Sequence, residues 1–209
     1  MATTAYTLNI GREVFLLHVI KRTSAGLQAL PMDSVLLSKR KVFLTGEITP
    51  ESADSVIQQL LYLEDEGKTE PIDLIINSPG GSVSAGLMVY DQLRGMRDSI
   101  QINSYCSGFA GSMAAIILAG GQHGHRFILP HAKVMIHEPL IAGGVGGSAT
   151  SIQRTAASIM ETKRITIDLL AQDTGRSVEE IEKAISYDNT MNAEEAISFG
   201  ICDRIAQRV

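Results

Sequence analysis

One hydroxyl in this chain sits where a nucleophile would be placed. Ser112 lies in the small-residue run Gly108-Phe109-Ala110-Gly111-Ser112-Met113-Ala114-Ala115. Upstream, residues 100–105 alternate apolar and polar, the period of a half-buried strand; downstream, residues 114–118 are apolar and helix-compatible. A serine at such a junction exposes its Oγ on a tight turn. The next backbone N–H, that of Met113, is then an unpaired donor at a helix N-terminus, placed to receive an oxyanion. The chemistry this suits is acyl transfer. The competing role is a plain helix cap, which serine fills often.

A serine nucleophile needs a base, and the chain has five histidines: His18, His123, His125, His131 and His137. His137 differs from the rest because it closes the strand-like run Lys133-Val134-Met135-Ile136 and precedes Glu138-Pro139. A strand delivers a side chain to a fixed place, and the proline ends the element. Among the Asp and Glu residues, Asp188 is the best orienting acid. It lies in Ser186-Tyr187-Asp188-Asn189, just before Asn192-Ala193-Glu194-Glu195, which reads as a capping box. A solvated turn aspartate is the alternative there. A second oxyanion donor is offered by Ser78-Pro79-Gly80-Gly81-Ser82, directly after an apolar run at residues 72–76. Gly80 and Gly81 form a backbone nest that no Cβ obstructs. No lysine follows in the phosphate-loop arrangement, so a nucleotide site is disfavoured.

The elements that must hold these residues read as strand–helix units. Residues 41–46 form a strand. Thr49 caps a helix with Pro50 at its first position, and Val56, Ile57, Leu60, Leu61 and Leu63 give it an apolar face. Strands alternating with helices predict an α/β domain with mostly parallel strands. At 209 residues and 44% hydrophobic, the chain is long enough for one substantial core. A net charge of −5 without a basic stripe argues against nucleic acid as a partner. The two cysteines, Cys106 and Cys202, make no metal-ligand pattern, and neither cofactor nor metal is expected. No apolar run approaches the ~20 residues of a membrane span. Residues 13–20 are too short and too interrupted for a signal peptide, so a cytoplasmic location is expected.

Four motifs together resemble the ClpP family, the caseinolytic serine peptidases of the Clp protease: Ser78-Pro79-Gly80-Gly81-Ser82, Gly111-Ser112-Met113-Ala114, Val134-Met135-Ile136-His137-Glu138-Pro139, and Asp188 with Asn192-Ala193-Glu194-Glu195-Ala196. They occur in the family's order and approximate spacing, and the likeness runs from about Leu36 to Ile205. The resemblance implies a Ser112–His137–Asp188 triad, with an oxyanion hole from the Met113 amide and one of the Gly80/Gly81 amides. It implies a ClpP/crotonase-like spiral of β-β-α units with a helical handle. The expected division is an N-terminal pore or gate segment at 1–33 and a peptidase domain at 34–209, including a handle at about 138–175. Gly143 and Gly144, in the glycine-rich stretch before the long helix, are candidate substrate-binding residues, because such an edge can pair with an extended peptide; a part in the handle and a simple flexible hinge are the equal alternatives.

The partners the resemblance implies are peptide and unfolded-protein substrates, copies of the chain in heptameric rings stacked as a tetradecamer, and a hexameric AAA+ Clp ATPase. Three departures set this chain apart. Tyr187 stands where the family has an arginine that ties the rings. Asp73 and Ile75 stand where surface tyrosines receive the ATPase, which puts that docking in doubt. Residues 1–32 match the pore segment poorly, with Pro31 interrupting the first short helix. The chain therefore reads as a divergent paralogue that works beside a second ClpP paralogue. The alternatives to an active ATP-dependent serine endopeptidase are a weakly active structural or regulatory subunit of a mixed assembly and an acyl-CoA enzyme of the crotonase superfamily.

Overall fold

The computed structural model describes residues 4–8, 16–23, 26–67, 69–141 and 143–209. Its first unit is a three-stranded antiparallel sheet of β1 (Thr4–Leu8), β2 (Leu16–Thr23) and β3 (Gly26–Pro31). Of residues 13–20, read from sequence as too short for a signal peptide, 16–20 belong to β2 and 13–15 lie outside the described residues. A short helix, α1 (Met32–Leu37), follows at once. Pro31 does not interrupt this helix. It occupies the N-cap at φ −56°, where its ring-fixed angle and missing N–H cost nothing.

The main body alternates strand and helix: β4 (Lys41–Thr45), α2 (Pro50–Asp65), β5 (Ile72–Ser78), α3 (Val83–Gly95), β6 (Ile102–Gly111) and α4 (Met113–Ala119). Thr49 caps α2 in a capping box with Ser52, and Ser82 caps α3 by accepting from the Ala85 amide. The chain continues through β7 (Arg126–Ile128), β8 (Lys133–Ile136), α5 (Ala149–Thr174), α6 (Val178–Ile185), β9 (Asn189–Met191), α7 (Ala193–Phe199) and β10 (Arg204–Ile205). The expected Asn192–Glu195 capping box starts α7.

The sheet runs β10-β7-β6-β5-β4 with every neighbouring pair parallel. This is the mixed α/β, parallel-dominated architecture expected from the alternation of elements. Inward side chains (Val42, Leu44, Leu74, Ile76, Ile102, Cys106 and Ile128) join α2, α3 and α4 in one buried cluster. All seven residues of α4 are buried, so the site helix is embedded in the core rather than laid on it.

The strand β6 is unusually long, and it changes partner along one edge. Ser104–Cys106 pair with β7, and Phe109–Gly111 pair with β8. The opposite edge pairs with β5, where the register shifts between Ile76 and Ser78. Beyond that shift β8 is parallel to β6 and antiparallel to β9. The strand carrying His137 is thereby set against the junction carrying Ser112.

Arg126 closes the C-terminal end of the body. Only 3% exposed, it donates to both Asp203 oxygens and to the carbonyls of Ala119 and Asp173. Burial alone would raise the Asp203 pKa, but the Arg126 bonds and charge and the Gly124 N–H outweigh it and leave it lowered. The stabilisation is therefore present above the ordinary carboxylate value of 3.8 and is lost as pH falls through the lower folded value. We expect Arg126→Met to destabilise the fold by about 3 kcal/mol or more at neutral pH, since it strands a partly buried carboxylate and two carbonyls. In urea unfolding, the difference from the unaltered protein should shrink below pH 4; a pH-independent difference contradicts this account.

Candidate active site

The β6–α4 junction places Ser112 at φ 53° and ψ −123°, one of two non-glycine residues with positive φ among those described. Such a conformation costs of order 1–3 kcal/mol unless its surroundings enforce it. Several contacts do so. The Ser112 N–H donates to the Met135 carbonyl at 2.7 Å, and its own carbonyl accepts from Ala115 at 3.0 Å as α4 begins. Ser112 occupies the N-cap position, yet its side chain makes no capping bond. Its Oγ instead lies 3.0 Å from His137 Nε2.

His137 follows the last residue of β8 and keeps only 16% of its side chain exposed. Its Nδ1 is 3.1 Å from Asp188 Oδ1. Asp188 is held next to it because Ile136 pairs with Asn189 across the β8–β9 ladder. The three sequence-predicted residues thus form one hydrogen-bonded chain. The Asp188 side chain, however, is 78% exposed, so water competes for its lone pairs and weakens its field at the imidazole.

The glycine nest lies against this chain. A Cβ on Gly80 would fall 2.7 Å from the Gly111 carbonyl and from Ser112 Cβ, and 3.1 Å from the Met113 nitrogen. A Cβ on Gly81 would fall 2.3 Å from the Ile48 carbonyl. Their φ values, +97° and +148°, lie in the range only glycine takes without strain. The two amides are not equivalent. Gly80 N–H donates to Ser78 Oγ at 3.1 Å. Around Gly81, Ile48 accepts from Ser82 and donates to the Gly80 carbonyl, a parallel bridge that directs the Gly81 N–H away from Ile48. Gly81 and Met113 are therefore the amides left to meet a substrate oxygen. Ile48 was absent from the sequence reading, and Ser78 entered it only as part of the glycine motif, with no role of its own; Ile48 acts only through its backbone, which no residue pattern advertises.

A groove of about 310 Å³ lies beside the site, lined by Val83, Pro139, Leu140 and Ile141 and by Thr155, Ser158, Ile159 and Thr162 of α5. Gly143 and Gly144 lie in exposed backbone at φ 84° and 83°, with open space around them. The long helix after them runs Ala149–Thr174 with Ser148 as its cap and Gly175 in the left-handed conformation at its end.

The arrangement can remove a proton from Ser112 through His137 and hold negative charge between two backbone amides. Cysteine chemistry is disfavoured by contrast, since burial pushes the Cys106 thiol up to about 12 and Cys202 is likewise buried and raised. Among the described residues no cluster of His, Cys, Asp and Glu has the arrangement of a metal site. Residues 24–209 match a family model described as Clp protease, starting upstream of Leu36, where the motif resemblance begins.

A fluorophosphonate should label Ser112 in the native protein. Gly80→Ala should slow labelling about a hundredfold, because the new Cβ displaces Ser112 and crowds the Met113 amide. Mass mapping of the labelled peptide checks both, and label on any other serine moves the nucleophile.

Proposed function

The chain belongs to the Clp protease family, and on that premise we propose that it is a serine endopeptidase subunit working inside a self-enclosed chamber. The carrying observation is the bonded chain Ser112–His137–Asp188 on a serine held at positive φ. In this reading His137 Nε2 takes the Ser112 proton as Oγ attacks the scissile carbonyl. Asp188 keeps the Nδ1–H tautomer, and the Met113 and Gly81 amides hold the oxyanion. His137 then protonates the leaving amine. Water, deprotonated by the same imidazole, hydrolyses the acyl-enzyme.

An extended peptide would lie along residues 143–147, with an apolar side chain in the groove between residues 139–141 and α5. The Gly143 and Gly144 backbones supply the pairing groups. Residues 34–209 form the peptidase, with α5 in the handle through which rings meet, and residues 1–33 form the gate segment. Heptameric rings stacked as a tetradecamer would keep the open site from folded proteins. Tyr187, 62% exposed beside Asp188, offers no ion pair at the ring contact, so a second paralogue would help hold the rings together.

The outward face of the main sheet is where an AAA+ Clp ATPase would dock. One register row crosses it as Phe43, Ile75, Tyr105, Phe127 and Arg204. Tyr105 stacks on Phe127 at 4.8 Å, and Arg204 lies over the Phe127 ring. Ile75 is only 4% exposed, walled in by its neighbours, so Phe43, at 40%, presents more apolar surface than the position expected to matter. Asp73 belongs to the adjacent row, where Lys41 pairs with it at 3.0 Å and Asn103 donates to it at 2.9 Å. An apolar loop arriving there would have to desolvate that polar cluster.

Ser112→Ala should reduce peptide cleavage by about 10³-fold or more with assembly intact. Asp188→Asn should cost about 10²-fold, less than a buried orienting aspartate costs, because water already shares this carboxylate. Undiminished turnover in the alanine variant would sink the mechanism. For docking, Asp73→Tyr should raise ATPase-dependent degradation of a tagged protein about fivefold and leave short-peptide turnover unchanged. Tight ATPase binding by the unaltered protein would mean that Asp73 does not limit docking.

A further inference from the structure

The helix α5 is two structures in one. From Ala149 to Ile165 no residue is buried; from Thr166 to Thr174, Thr166, Ile167, Leu170 and Asp173 are buried and anchor it. Lys163 stands at the transition. Its Nζ lies 2.5 Å from Glu138 Oε2, the ion pair that the projecting half makes with the body among the described residues. Glu138 directly follows His137, and its backbone N–H donates to the Ile185 carbonyl at the end of α6 at 2.9 Å. One residue thus touches three segments. Its peptide bond continues from His137, its amide holds the connection leading to Asp188, and its carboxylate holds the helix.

The position of this pair in the groove gives it a consequence. Pro139, Leu140 and Ile141 line one lip, and Thr155, Ser158, Ile159 and Thr162 line the other. Glu138 immediately precedes the first lip, and Lys163 immediately follows the second. The ion pair therefore sits where the two lips converge. Apolar packing does little to set their spacing, since Leu140 is 65% exposed and Ile141 39%.

We propose that Glu138 and Lys163 are positioning residues that set the width of the substrate groove. This rests on the serine-peptidase reading of the same site. Without the pair, the projecting half of α5 is tied to its own chain, among the described residues, through its buried end; the ring contact does not fix its distance from residues 139–141, so the groove loses its set width and substrate is bound less well. The chemical step, carried by Ser112, His137 and Asp188, is affected less. With both side chains partly exposed, at 28% for Lys163 and 50% for Glu138, the effect is moderate and falls with salt.

The test is steady-state cleavage of a fluorogenic peptide with an apolar residue before the scissile bond, at low and high ionic strength. Native mass measurement ensures that each variant is compared in the same assembly state. Lys163→Met should raise KM about three- to fivefold with kcat within twofold, and should remove most of the salt dependence of KM. Lys163→Arg should keep KM near its original value, and the exchanged double variant Glu138→Lys/Lys163→Glu should recover most of the loss. A merely structural role would lower the melting temperature without this recovery in KM. Unchanged KM in Lys163→Met, or no recovery on exchange, overturns the proposal. The fluorophosphonate separates the two ideas: normal Ser112 labelling with unchanged KM rejects the clamp alone, whereas no labelling in the unaltered protein rejects the serine-peptidase reading and the clamp with it.

Discussion

The hydrogen bond from the Ser112 amide to the Met135 carbonyl is the contact on which the site depends. It joins the end of β6 to β8 and so fixes the Ser112 backbone relative to the strand that delivers His137. It also helps hold Ser112 in a conformation that an unconstrained serine avoids. The opposing strain is absorbed by burial. The seven residues of α4 are all buried, none more than 6% exposed, and at about 25 cal/mol per Å² of apolar surface that burial exceeds a cost of a few kcal/mol. The glycines around the junction follow from the same crowding. A Cβ on Gly111 would meet the Phe109 ring at 2.6 Å, and one on Gly108 would meet Asn77 Oδ1 at 2.7 Å. Asn77 Oδ1 already accepts from the Phe109 amide, which secures the approach to the turn.

Much of the site was legible because its chemistry is written in side chains at element boundaries. Ser112, His137 and Asp188 each lie at or next to the end of a strand or helix, and such ends are marked by glycine, proline and capping residues. The Thr49, Ser82 and Asn192 caps were readable for the same reason. Contacts made by backbone alone were not legible. Ile48 looks like an ordinary core residue, yet its amide and carbonyl orient the glycine nest. The inequality of Gly80 and Gly81 depends on the Ser78 hydroxyl turning back on the first of them, which spacing does not reveal.

Burial on the outward sheet face was not legible for a related reason. The resemblance puts Ile75 where the family has surface tyrosines, yet only 4% of it is exposed. Its cover comes sideways, from Phe43 and Tyr105 on the neighbouring strands, and lateral register cannot be read from one strand. The Glu138–Lys163 pair is a similar case, since two side chains 25 positions apart in sequence, across loop and helix, meet at 2.5 Å.

The change of partner along β6 divides the paths by which mechanical load crosses the molecule. Tension applied at Val209 passes through β10 and the Arg126–Asp203 contacts into β7, and from there into Ser104–Cys106 of β6. The strand leading to His137 takes its hold farther along the same edge, at Phe109–Gly111, beyond the register shift. Pull at the carboxyl terminus and the hold on His137 thus meet one strand at separate places. A tether or surface attachment at the carboxyl terminus therefore loads β7 first, and reaches Ser112 only along β6 or through the Arg126 bond to Ala119 at the far end of α4.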